Sequence, residues 1–186
     1  MDIPTRENSA VLFLDLQDDI IKNSQTVSVD RLTKTAGALA KLASLHKLPA
    51  YLSAVPPGGA FMASVLAPLE NPAPRLRMQT SAFGDQDLVD NLKASGRKVL
   101  ILAGVASEIV VQRTALDALK AGYQVQVAVD ACGGLGARTE DAAWRRIIAN
   151  GGVTTSVTTF GAELTGDFAT DLGSATLGIV YETFSG

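Results

Sequence analysis

The chain has 186 residues and a mass of 19.4 kDa, a length that closes around one hydrophobic core, so one domain over residues 1–186 is expected. Hydrophobic residues make up 47% of it and mean hydropathy is +0.20, enough for a sheet buried on both faces. The 19% charged residues fall below the usual quarter, which points to surface covered between subunits of a homo-oligomer, a dimer or larger. A net charge of -3, with Lys and Arg scattered, excludes a nucleic-acid binder, and no apolar run approaches the roughly 18 residues of a membrane span.

The N-terminal MDIPTREN lacks the basic and apolar blocks of a signal peptide and the lone Cys132 has no partner for a disulfide, so the cytoplasm is the expected address. Ala10 to Leu16, AVLFLDL, is a continuous apolar run broken by one acid, Asp15, and reads as a central strand. Asp30 is placed to cap a helix with Leu32, Ala36, Leu39 and Ala43 on one face, ending before Pro49. A second strand follows at Ala50 to Val55. The Pro-rich segment from Pro56 to Arg77 predicts loop with a short helix near Phe61 to Leu66, and a short strand is expected near Arg75 to Gln79.

A helix started by Asp85 or Asp87 and ended by Gly96 leads into the strand Val99 to Ala103. The turn Gly104-Val105-Ala106-Ser107 then opens a helix with Ser107 as N-cap and Ile109, Leu116 and Leu119 facing the sheet. Strand five is expected at Gln124 to Val129, a helix at Thr139 to Ala149, and a last strand at Val153 to Val157. The tail, about 160–186, is expected to form a short helix and an arm. Strands alternating with helices predict an α/β, three-layer, doubly wound, mainly parallel six-stranded sheet of order 3-2-1-4-5-6. Ligands of such sheets bind beyond the carboxyl ends of the strands at the switch point, here between Asp15 and the 104–110 turn.

The ordered set D-x-Q at Asp15 and Gln17, SAFGDQDLVDNLKASGRKVLILAGV from Ser81 to Val105, T-x-x-D-A at Thr114 to Ala118, AGYQVQVAVDA from Ala121 and AAW at Ala142 to Trp144 resembles the isochorismatase-like hydrolases. This is the cysteine hydrolase superfamily, and the likeness is greatest to its YcaC-like branch. The resemblance implies an Asp, a Lys and a Cys meeting in the switch-point pocket. The Asp acts as base towards the thiol, the Lys steadies charge, and the Cys at a helix N-terminus attacks an amide or related carbonyl. It also implies a cis peptide at Val105–Ala106.

The family pattern G-V-x-T-x-x-C reads here Gly104, Val105, Ala106, Ser107, Glu108, Ile109, Val110, so Val110 stands at the nucleophile position. The lysine is also absent; Arg77 aligns best, with Arg75 its rival, and an arginine pairs with carboxylates but does not shuttle protons. Asp15, Arg77 and Val110 are thus the expected reacting positions, with Gln17, Arg75, Phe83, Val105, Ala106 and Ile109 as substrate contacts. No cofactor is expected. With His46 as the only histidine, the Asp-His-His metal site of nicotinamidase relatives cannot be assembled, and His46 reads as a solvated helix end. Cys132 reads as a packed, inert thiol, with redox chemistry as its alternative, and Trp144 as core or interface.

Two functions fit these residues. One is a hydrolase of a small molecule acting without the cysteine, with Asp15 as general acid or base, the acid role requiring burial to raise its pKa. The other is a catalytically silent member that binds a small acid or amide against Arg77 or serves assembly.

Overall fold

The computed structural model describes residues 2–184. Its centre is a parallel sheet of β1 (Ser9–Leu14), β2 (Ala50–Ala54), β3 (Arg75–Leu76), β4 (Val99–Val105), β5 (Gln124–Gly133) and β6 (Val153–Thr155), in the order β3-β2-β1-β4-β5-β6. The helices are α1 (Asp18–Ile21), α2 (Val29–Leu45), α3 (Ala63–Leu66), α4 (Gln86–Ala94), α5 (Gln112–Lys120), α6 (Ala137–Ala149), α7 (Val157–Thr165) and α8 (Asp171–Glu182).

The strand period of two divides the core. Val11 and Phe13 of β1 pack with Leu32, Leu39 and Phe160 on the face covered by α2 and α7, while Ala10, Leu12 and Leu14 pack with Leu88, Leu92, Ala115 and Ile147 under α4, α5 and α6. Every residue of β1 and β4 is buried, which is why both read as unbroken apolar runs. Truncating such a leucine to alanine costs about 2–5 kcal/mol. At the carboxyl end Leu14 pairs with Gly104, and the strands approach so closely that a Cβ on Gly104 would sit 2.6 Å from Leu14 Cβ. Only glycine lets β4 run on beside β1 there.

Several boundaries differ from the sequence expectation. Ser28, not Asp30, caps α2, accepting from the Arg31 amide, and Asp30 lies in the first turn where its charge suits the helix dipole. Asp85 does cap α4, accepting from the Asp87 and Leu88 amides. β3 ends at Leu76 and β6 at Thr155, whereas β5 continues to Gly133 through a register shift opposite Leu102 and Gly104, so Cys132 lies within the strand.

The expected arm instead belongs to two helices, α7 and α8, packed on α2 and on each other. The buried face of α8 is Gly173, Thr176 and Val180, too small and polar to show an apolar stripe. His46 is accordingly buried, not solvated: its Nε2 lies 2.8 Å from Thr176 Oγ1. Burial, and then the Arg6 charge, lower its pKa. Among the described residues no helix is long and apolar enough to cross a membrane.

Candidate functional site

A cavity of about 600 Å³ opens beyond the carboxyl ends of β1 and β4. Asp15 follows β1 directly, with φ 52, a left-handed conformation that aspartate tolerates better than most side chains. Its amide donates to Ser53 O at 2.9 Å and its carbonyl accepts from the Gln17 amide at 2.8 Å, so the backbone fixes the direction of the carboxylate. Arg77 reaches it from just beyond β3, anchored by its own amide on Ala54 O at 3.0 Å.

The two side chains form a buried fork. Arg77 Nη1 donates to Asp15 Oδ1 at 2.6 Å and Nη2 to Oδ2 at 2.8 Å, while Nη1 also reaches Ser53 Oγ at 3.2 Å. Side-chain exposure is 2% for Arg77 and 8% for Asp15, and Arg77 Nε finds no hydrogen-bond partner among the described residues. Such bidentate, charge-assisted pairs fix orientation as well as charge.

The opposite wall comes from the end of β4. The Val105–Ala106 peptide is cis, and both residues line the cavity. The chain then makes a π-helical turn, Ser107–Val111, before α5. Ser107 is not an N-cap; its hydroxyl donates to Glu140 Oε1 at 2.7 Å from inside the first turn. The wider turn rotates the following side chains relative to an α-helix. Thr114, Ala115 and Ala118 therefore face the sheet, Leu116 and Leu119 are half-buried, and Ile109, 49% exposed, stands at the cavity instead of on the sheet. Val110, buried in the second core, also borders the cavity.

Of the positions expected from sequence, Asp15, Arg77, Val105, Ala106, Ile109 and Val110 share this cavity. Three point elsewhere. The Gln17 amide spans the Val55–Gly59 loop, accepting from Val55 N at 2.9 Å and donating to Val55 O and Gly59 O at 3.2 Å each. Arg75 is taken by Asp85 and Asp87, which raise its pKa, and it in turn lowers that of Asp85. Phe83 packs edge-on to Tyr123 at 5.8 Å on the other face of the sheet. Cys132 is fully buried and burial pushes its thiol pKa well up, away from thiolate chemistry. Trp144 is half-buried against the second core.

Sequence reading missed the walls supplied by Asn23, Gln25, Val55, Met78 and Leu135. Two loops meet there: Gln25 N donates to Gly134 O at 2.7 Å and Gly134 N to Thr26 Oγ1 at 2.8 Å. Glu108 braces the same wall, accepting from Leu135 N at 2.9 Å, Gly136 N at 3.3 Å and Thr139 Oγ1 at 2.6 Å. Burial pushes Glu108 up, but these bonds outweigh it and hold its carboxyl below the usual range. The only signal in the sequence for any of this was topological, since loops after the carboxyl ends of the strands enclose the switch point.

Fold and cavity together define a doubly wound α/β protein with a small-molecule-sized pocket at its switch point, formed by an acid after the first strand and the helix turn after the fourth. The isochorismatase domain family matches residues 9–159, and the chain belongs to that family. It is 30% identical over 177 residues to the probable hydrolase YcaC of Escherichia coli K12, covering 92% of this chain and 85% of the relative. Two solved structures are similar over nearly the whole fold. YcaC from Pseudomonas aeruginosa, with hexane-2,5-diol and covalent acrylamide, gives a TM-score of 0.90 at 29% identity over 99% of this chain and 94% of that one. The E. coli YcaC product, described as an octameric hydrolase of unknown specificity, gives 0.91 at 27% identity over 98% and 91%.

Proposed function

We propose that the chain hydrolyses a small molecule in this cavity without a covalent enzyme intermediate, Asp15 serving as the base towards water. The observation that carries the reading is the Asp15–Arg77 pair at the cavity floor. A carboxylate has about four lone-pair sites, and Arg77 uses one on each oxygen, so acceptor capacity remains for a water. In the step envisaged, one water proton passes to Asp15 as the water oxygen bonds to a polarised carbonyl carbon. The carbon–leaving-group bond then breaks, and the leaving group departs with that proton. The Ile109 and Val111 amides already donate to Ala106 O, so in this reading donors for the developing oxyanion come from the other amides of that turn. Val110 offers no nucleophile, which is why water takes that part.

The test is turnover of a panel of amides, nicotinamide and isochorismate by the wild type and Asp15→Asn. Loss of about 100-fold or more in the variant is expected of a general base; turnover that survives the substitution removes Asp15 from the chemistry. A second reading, a silent ligand-binding member, is favoured by the occupation of both Asp15 oxygens by Arg77. Ligand binding by wild type with no turnover across the panel would select it.

The same reading includes assembly with further copies of the chain. Its support is the exposed apolar Met78, Ile109 and Leu135 at the cavity, together with the octameric state of the E. coli relative. Sedimentation at micromolar concentration should show an oligomer; a monomer would refute this part.

A further inference from the structure

We propose that the cavity selects uncharged, largely apolar ligands and rejects anions, with the Asp15–Arg77 pair as the filter. The inference rests on the cavity being the ligand site and names the class of ligand that it takes.

Asp15 and Arg77 are the only charged side chains among the described residues lining the cavity, and each is committed to the other. The guanidinium charge is already balanced: Nη1 and Nη2 both donate to Asp15, Nη1 also reaches Ser53, and the Nε left without a partner is itself buried, so a ligand carboxylate meets no net positive charge. Of the two partners the acid is the more accessible, 8% against 2%, so an entering group meets the negative end of the pair first. Elsewhere the walls are mainly apolar, with Val55, Val105, Val110 and Leu135 among them.

A carboxylate entering here would leave its hydration shell and gain no counter-charge, which costs several kcal/mol. An amide, ester or alcohol of the same shape loses far less water. Its polar head still finds an acceptor in Asp15 and donors in Gln25 or Gln79, while the rest of the molecule covers apolar wall. The selectivity is thus electrostatic, and it depends on the Arg77 charge remaining balanced by Asp15.

That dependence makes the proposal testable by binding alone. Isosteric pairs differing only in charge, hexanamide and hexanoate, benzamide and benzoate, cyclohexanecarboxamide and cyclohexanecarboxylate, are titrated calorimetrically near neutral pH. At least one amide should bind wild type at least tenfold more tightly than its carboxylate, about 1.4 kcal/mol. Asp15→Asn removes the charge that balances the guanidinium, and the order should invert, with the carboxylate gaining at least tenfold. Ile109→Lys, at a half-exposed position that tolerates change, supplies a second route and should strengthen carboxylate binding in a salt-dependent way.

A wild type that binds a carboxylate as well as its amide, or that binds none of the amides, overturns the proposal. So does a preference unchanged in both variants. A wild type that discriminates as expected yet turns nothing over would reject the hydrolytic reading and leave the filter standing.

Discussion

Replacing Arg77 with methionine keeps the length of the side chain and removes the charge, leaving Asp15 in the cavity floor without its partner. Both side chains are almost fully buried, at 2% and 8% exposure, so solvent does little to screen the loss. Breaking a buried pair from one side costs about 3–5 kcal/mol, a large part of the roughly 5–15 kcal/mol that holds a domain folded. At about 2–4 °C per kcal/mol for a chain of this size, the melting temperature should fall by roughly 6–20 °C.

Most of that loss is the penalty of the stranded carboxylate, not the worth of the pair. Asp15→Leu combined with Arg77→Met should therefore recover most of it, giving a strongly non-additive cycle. Urea unfolding at fixed protein concentration measures Arg77→Met, Asp15→Leu and the double variant. A single-variant loss under about 1 kcal/mol, the range of exposed pairs, would show that the fork is solvated and would refute the reasoning.

Because His46 is held below its ordinary pKa by burial, the unfolded chain takes up its proton first, and stability should fall as pH drops below 6.5 by at most about 1.4 kcal/mol per pH unit. His46→Gln should flatten that slope in pH-dependent urea melts; a slope unchanged by the substitution would locate it elsewhere. Glu108 behaves oppositely. Its lowered pKa means a contribution present above 4.5 and lost as pH falls through the folded value, so Glu108→Gln should cost about 1–3 kcal/mol at neutral pH and less in acid. Native wild type should resist thiol labelling because Cys132 is fully buried, whereas Ile109→Cys, at a position 49% exposed at the cavity, should label at one site. Rapid labelling of wild type would contradict the packing of β5.

Much of this architecture was legible because strands buried on both faces leave unbroken apolar runs, and AVLFLDL and VLILA are hard to read otherwise. The acid near the end of the first run, Asp15, marks the switch point in the sequence itself. The choice between Arg75 and Arg77 was not legible. Two residues apart in extended chain they share a face, and the matter is decided by Asp85, which caps α4 and takes Arg75 as well. The π-helical turn that carries Ile109 to the cavity has no sequence signature, and α8 hid because its contacts are made by glycine and threonine. The burial of His46 has no signal in the sequence for the same reason, since α8 supplies Thr176 against it.

The proposed replacements, Val110 for the cysteine and Arg77 for the lysine that the family resemblance implies, bear on each other, and substitution separates them. Introducing a thiol alone, as Val110→Cys, leaves both Asp15 oxygens held by Arg77, so the free lone pairs that serve a water keep the direction the fork sets and the carboxylate cannot turn to the thiol. Lysine at 77 would bring a point charge with a single contact geometry, freeing one carboxylate oxygen towards the helix turn. Amidase activity should therefore be weak or absent in Val110→Cys and in Arg77→Lys singly, and rise in the double variant by about 100-fold or more, the contribution of a positioned base. A burst of product on mixing would report the acyl intermediate. If Val110→Cys alone reaches the activity of the double variant, the Arg77 fork does not restrain Asp15, and the coupling argued from its geometry is wrong.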